Sequence, residues 1–252
     1  MKYSNGQVEI KRTVEQDKPF PGRNVDQMPL LLGEGRSPWN AIRFMRERIA
    51  YANEFPDLKS YIDVSDLKSY IDVSDLIAYD SNKRSTNVKF ILTVGKNGRV
   101  TEQGRKALEL INPNAKLTSD YAVNVDDVYD SLSGIVVARS DLGVLERDLT
   151  EAEVLGSKAW RILARHPDEV PAEFAEDSAL LKEYAGWVKG QTKQDENMGV
   201  YMDNNSKNAK LRAFCVAWLG DRSRLDGRGS LFLDGGRLVG YLAPEALVRL
   251  VR

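Results

Sequence analysis

The residues of this 252-residue chain that could do chemistry are few: one histidine, His166, one cysteine, Cys215, and six aspartates crowded between Asp57 and Asp80. A metal centre built on two histidines or on several thiols is therefore impossible, and a Ser-His-Asp triad would have to pass through His166. That residue follows EAEVLGSKAWRILAR and precedes Pro167, where an imidazole meets the last carbonyls of a helix. The position suits a helix end better than a general base. Cys215 alone can form no intramolecular disulfide, and the opening MKYSNGQVEIKR has no apolar leader, so a cytoplasmic protein is expected. The aspartates could be imagined as metal ligands, but an acidic run is more simply a solvated face, and no cofactor or metal is expected.

No phosphate-cradling glycine loop or nucleophile motif is present, so the chain reads as non-catalytic. Its binding chemistry lies in segregated charge. Glu54–Asp80 holds seven acids and two bases, and Lys83–Lys106 seven bases and one acid. Asp141–Glu183 holds eleven acids and five bases, and Lys207–Arg252 nine bases and four acids. A net charge of −1 conceals these blocks. Either they neutralise one another across the fold, or the two basic segments, the second with Arg222, Arg224 and Arg228, form a phosphate-facing surface. DNA or RNA is the partner on the second reading, and other protein subunits are the alternative. No membrane is expected, because apolar runs such as Gly134–Ala138 fall far short of the roughly 20 residues of a spanning helix.

The elements that must position these charges follow from spacing and capping. Gln7–Lys11 alternates like a short strand within an otherwise polar arm. Ser37-Pro38 reads as a helix start, with Trp39, Ile42, Met45, Ile49 and Ala52 on one buried stripe to about Phe55. Asn87–Val94 alternates as a strand, Gly95-Lys96-Asn97-Gly98 suits a tight turn, and Thr101 opens a helix burying Ala107, Leu108 and Ile111. Thr150 and Glu153 form a capping box. Pro171 begins a helix with Phe174, Leu181, Tyr184 and Val188 inside and Gly190 near its end. Leu211–Leu219 and Gly229–Leu242 read as strands, with a closing helix from Pro244. The expected fold class is α+β: an arm over residues 1–36, a mainly helical domain with one hairpin over 37–190, a linker over 191–208, and a small β-rich domain over 209–252.

Between Asp57 and Leu76 the chain reads DLKSYIDVSDLKSYIDVSDL, nine residues written twice and begun a third time. Identity of that length records a duplication. Nine residues reverse the facing of a helix, and an odd number reverses the face of a strand, so the second copy cannot repeat the buried contacts of the first by continuation. One copy is expected to bulge or extend at the surface. Pro56-Asp57 followed by Asp66-Leu67-Lys68 matches the bare pattern of a PD-(D/E)xK nuclease, but that spacing is a by-product of the duplication.

Two local resemblances join the charge map. VSDLIAYDSNKRSTNVKFILTVGKNGRVTEQGRKALELI resembles the later part of a winged-helix domain, over about residues 73–112. The resemblance implies DNA contact through Lys83, Arg84 and Ser85 before the wing and through Lys96 and Arg99 at its tip. The alternative is a hairpin packed beside a helix in a mixed domain. LDGRGSLFLDGGRLVGYLAPEALVRLV, over about residues 225–251, is similar to the end of a HIRAN domain, on Asp226, Gly236, Val239, Gly240, Tyr241, Leu242 and Glu245. That resemblance implies a small barrel holding single-stranded DNA by an aromatic, here Tyr241, and by basic side chains. The function expected is non-catalytic nucleic-acid association through two basic modules, the alternative being a structural or assembly subunit of a virion or multiprotein complex.

Overall fold

A computed structural model describes residues 3–4, 7–8, 17–54, 71–81, 87–167, 178–203, 207–216, 222–231 and 237–243. The start of the helix expected at Pro171, with Phe174, the helix expected at Pro244, the first repeat copy, Lys83, Arg84 and Ser85 lie outside the described residues, while Leu181, Tyr184 and Val188 are buried in a helix as expected.

After a minimal hairpin, β1 (Tyr3–Ser4) and β2 (Gln7–Val8), come β3 (Asp17–Pro21), α1 (Asn24–Gly33), β4 (Ser37–Pro38) and α2 (Ala41–Glu54). The middle of the chain supplies β5 (Ile71–Tyr79), β6 (Asn87–Ile91), α3 (Glu102–Leu108), β7 (Val123–Asn124), β8 (Ile135–Ala138) and β9 (Asp148–Thr150). Two short helices, α4 (Glu151–Gly156) and α5 (Lys158–Leu163), lead to α6 (Ala179–Thr192), β10 (Glu196–Tyr201), β11 (Lys210–Val216), β12 (Leu225–Asp226) and β13 (Arg237–Tyr241).

The fold is organised by one sheet in the order β8-β6-β5-β11-β12-β10-β9, with β7 pairing the start of β11. Every pairing in it is antiparallel except β10 with β12. Strand β5 is central and buried on both faces. Ile71, Val73, Ile77 and Tyr79 enter one core with Phe44 and Met45 of α2 and Leu181, Tyr184 and Val188 of α6. Leu76 and Ala78 enter a second core with Val25, Met28 and Leu31 of α1 and Ala107 and Leu108 of α3. The alternation of strand side chains makes this two-sided packing possible. A second sheet, β3-β13-β4, joins the early and late parts of the chain.

The expected mainly helical central domain is corrected by this sheet, which takes strands from both the middle and the late parts of the chain. The reason is non-local pairing. Asp72, Ser74 and Asp75 make Ile71–Tyr79 look like solvated surface, yet each polar side chain is satisfied inside. Asp75 accepts from the Ala41 amide at 2.8 Å, Ser74 accepts from the Thr93 hydroxyl at 2.6 Å, and Asp72 accepts from the Arg237 amide at 3.1 Å. Ser37-Pro38, expected as a helix start, is a strand because β13 pairs with it at Gly240 and Tyr241. Helix α2 starts three residues later, where Asn40 accepts the Arg43 amide at 2.9 Å. Trp39, Ile42, Met45 and Ile49 are buried as expected. The expected arm holds β3 and α1. Thr101 caps α3, and Thr150 with Glu153 closes the capping box of α4. The helix expected through Arg165 breaks at Ser157 into α4 and α5.

Candidate binding surface

Strands β10 and β12 run parallel, pairing Val200 with Leu225 and Tyr201 with Asp226. Val200 and Leu225 point into the core, so the neighbouring Tyr201 and Asp226 turn outward. Both arginines flanking this pair in sequence converge on the tyrosine: the Arg224 and Arg228 guanidinium carbons lie 4.9 and 4.7 Å from the Tyr201 ring centroid.

Carboxylates fix each arginine. Asp148, on β9, accepts from Arg224 Nε and Nη2, both at 2.8 Å, and from Arg222 at 3.4 Å. Arg228 donates to Asp226 at 3.0 Å and to Glu146 at 3.1 Å. These bonds to the carboxylates raise the affinity of Arg224 and Arg228 for their protons further. Glu146 adopts φ 65°, the left-handed region, and its other oxygen accepts the Met202 amide at 2.8 Å. Such a backbone is held at some cost in strain.

The row continues over a buried floor. Lys210 and Arg212, whose side chains are each 3% exposed, share Asp203 and Asp120. Lys210 lies 2.5 Å from Asp120 and 2.9 Å from Asp203, and Arg212 lies 2.7 and 2.8 Å from the same carboxylates. Burial works to raise the Asp120 carboxyl, but the hydrogen bonds from Lys210 and Thr118 and the charge of Arg212 outweigh it and hold the group well below the ordinary carboxylate range. Arg139 bonds the Asp203 carbonyl and reaches Glu146, joining the floor to the Tyr201 row. Beneath, the Tyr79 hydroxyl donates to the Gly227 carbonyl at 2.9 Å and accepts the Asp203 amide at 3.3 Å. At one end Tyr121, beside Asp120, is 59% exposed with φ 59°.

The sequence-derived residues divide. Arg222, Arg224 and Arg228 come together here. Lys96 and Arg99 sit in the Gly95–Arg99 turn, closed by a Gly95 amide to Arg99 carbonyl bond of 2.9 Å. Tyr241 is only 5% exposed, packs under the Arg43 guanidinium and donates to the Gly98 carbonyl at 2.8 Å, so its ring presents no stacking face. His166 is tied to the Val94 carbonyl at 3.2 Å. Cys215 is a buried thiol, its proton held more firmly by burial and by the nearby Asp72. Among the described residues no group of three or more histidine, cysteine or carboxylate side chains could hold a metal ion. No described helix is long and apolar enough to cross a membrane.

No family model matches the chain, and no curated protein matches it. A solved structure described as the accommodation of massive sequence variation in Nanoarchaeota by the C-type lectin fold covers 91% of this chain and 99% of its own, with a TM-score of 0.53 and 16% identity. The fold is similar to the C-type lectin fold. This likeness overturns the expected nucleic-acid-associated function and its winged-helix and HIRAN keywords. Val73–Tyr79, which opens the stretch likened to a winged helix, belongs to the central strand of the lectin-like sheet. The local physics agrees: in the Tyr201 row and its floor, six cations (Arg139, Lys210, Arg212, Arg222, Arg224, Arg228) meet five carboxylates (Asp120, Glu146, Asp148, Asp203, Asp226), leaving +1. Phosphate binding draws on uncompensated positive charge.

Sequence reasoning missed Tyr201, Glu146, Asp148, Asp203 and Asp120. Asp148 is 76 residues from Arg224 and Glu146 is 82 from Arg228, so no local signal joins them.

Proposed function

We propose that this chain is a non-catalytic recognition domain that binds a folded protein partner through the surface around Tyr201. The observation that carries the reading is Tyr201 flanked by Arg224 and Arg228, each guanidinium fixed by carboxylates and each side chain still partly exposed. Tyrosine and arginine are the side chains enriched where protein interfaces concentrate their binding energy. Arginines already held in one rotamer lose less freedom when a partner arrives. In the neighbouring structure the C-type lectin fold is described as accommodating massive sequence variation. A surface built on an apolar interior, as here, supports the same separation of fold from recognition. We place this binding in the cytoplasm on the strength of Cys215 as a buried free thiol.

The test compares the chain with a Tyr201→Ala/Arg224→Ala/Arg228→Ala variant of unchanged circular dichroism, by affinity enrichment and then by titration with the purified partner. Loss of three central side chains should weaken binding about 30-fold or more. A partner bound equally by both forms, or binding confined to glycans on an array, would overturn the reading.

A further inference from the structure

The described strand β5 draws its first six residues from the second copy of the duplicated segment. The identity extends past nine residues, because Asp57–Leu67 recurs as Asp66–Leu76. In the second copy Ile71–Leu76 forms the first two thirds of β5. Each of its residues has a defined task. Ile71 and Val73 fill one core, Leu76 fills the other, Asp72 accepts the Arg237 amide, the Ser74 amide donates to the Trp39 carbonyl, and Asp75 accepts the Ala41 amide.

Every one of those six residues has an identical counterpart nine positions earlier, in Ile62–Leu67. Beyond them Tyr70 matches Tyr79, Ser69 stands for Ala78, and Lys68 stands for Ile77. Seven of the nine β5 side chains are therefore encoded twice. Tyr79 is among the seven, and its hydroxyl holds Gly227 and Asp203 beneath the Tyr201 row. An offset of nine is odd, so the two copies cannot serve together in one continuing strand. They are alternatives for one place.

The connections permit the exchange. Sixteen residues, 55–70, join α2 to β5, and seven, 80–86, join β5 to β6. A slip of nine would interchange these lengths, to seven and sixteen, and seven residues is an ordinary connection. The copies differ at two buried positions, Ala78 against Ser69 and Ile77 against Lys68, and the second is the costlier exchange. Ile77 is fully buried, and its Cγ2 lies 3.2 Å from where a Cβ on Gly227 would stand, beside Phe214 and Tyr79. A lysine ammonium there would lose its water without a designed partner.

We propose that the central strand is doubly encoded: residues 62–70 can replace residues 71–79 in β5 by a nine-residue register slip, and Ile77 against Lys68 selects the copy in use. The duplication thus holds a spare strand that Lys68 keeps out of use, and that becomes available once this position is matched to Ile77.

Three full-length chains and one deletion chain test this by thermal melting and hydrogen exchange with mass spectrometry. Lys68→Ile/Ser69→Ala makes the two nine-residue copies identical. Adding Val73→Asp to it damages the copy in use, adding Val64→Asp as well damages both, and a fourth chain simply lacks residues 66–74. The Val73→Asp chain in the matched background should melt within a few degrees of its parent, with amide protection rising in 62–70 and falling at least tenfold in 71–79. The doubly damaged chain should fail to fold. The deletion chain, which restores IDVSDLIAY after a seven-residue connection, should fold like the original. If the Val73→Asp chain unfolds as the doubly damaged one does, or folds with protection still in 71–79, the proposal is wrong. Failure of the deletion chain to fold would overturn it too, by showing that the short connection cannot reach.

Discussion

Asp75 offers the sharpest quantitative prediction, because a carboxyl group sits fully inside the core, where it accepts from the Ala41 amide at 2.8 Å and the Thr93 amide at 3.4 Å. Burial pushes its pKa up to about 7, against those two hydrogen bonds, and pushes Asp72 up to about 6. In the unfolded chain both titrate near 3.8. The folded state therefore binds protons more tightly, and stability that is full below the unfolded pKa is lost as pH rises through the folded one. At 1.36 kcal/mol per unit, integrating between pH 5 and 8 gives about 3 kcal/mol from Asp75 and about 1 from Asp72. Asp120, held well below the usual range, and Glu153, held at about 2, act in the opposite direction but only at more acidic pH. Urea unfolding at pH 5, 6, 7 and 8 should show the chain about 4 kcal/mol more stable at pH 5 than at pH 8. Asp75→Asn, which keeps an acceptor and removes the charge, should abolish most of that slope. A stability that is flat across this range, or a slope unchanged in Asp75→Asn, would refute the reasoning.

Arg212→Ala should cost about 3 kcal/mol, because Asp203 and Asp120 lose a buried partner and the Gly229 carbonyl loses its donor; denaturant titration measures it. Gly227→Ala should destabilise by about 1–3 kcal/mol, since a Cβ there would stand 2.9 Å from the Tyr79 hydroxyl and 3.0 Å from the Phe214 ring. Its fluorescence melt should fall accordingly. Lys193 ends α6 at φ 58°, and Lys193→Gly should raise stability by about 1 kcal/mol by removing a side chain from a left-handed backbone.

What could be read from the sequence was local. Thr101, Thr150 and Glu153 declare their caps within three residues, and the α2 stripe declares its buried face within four turns. The sheet was not legible, because β5 is paired to β11 in a register that sets Ile77 opposite Arg212, a relation no window of sequence contains. Asp72, Ser74 and Asp75 made matters worse by imitating surface while being satisfied from Arg237, Thr93 and Ala41. The charge blocks were visible, and their neutralisation was one of two open outcomes. Only the fold brings Asp148 to Arg224 and Glu146 to Arg228.

The small β3-β13-β4 sheet carries a mechanical consequence. Asp17, where β3 begins, is the register partner of Tyr241, where β13 ends. Tension applied to the chain at those two residues would act across the strands rather than along them, opening the Asp17–Tyr241 end first and passing the load inward one pair at a time toward Pro21 and Arg237. Loaded this way the pair of strands opens like a zipper, one register pair at a time, rather than all at once.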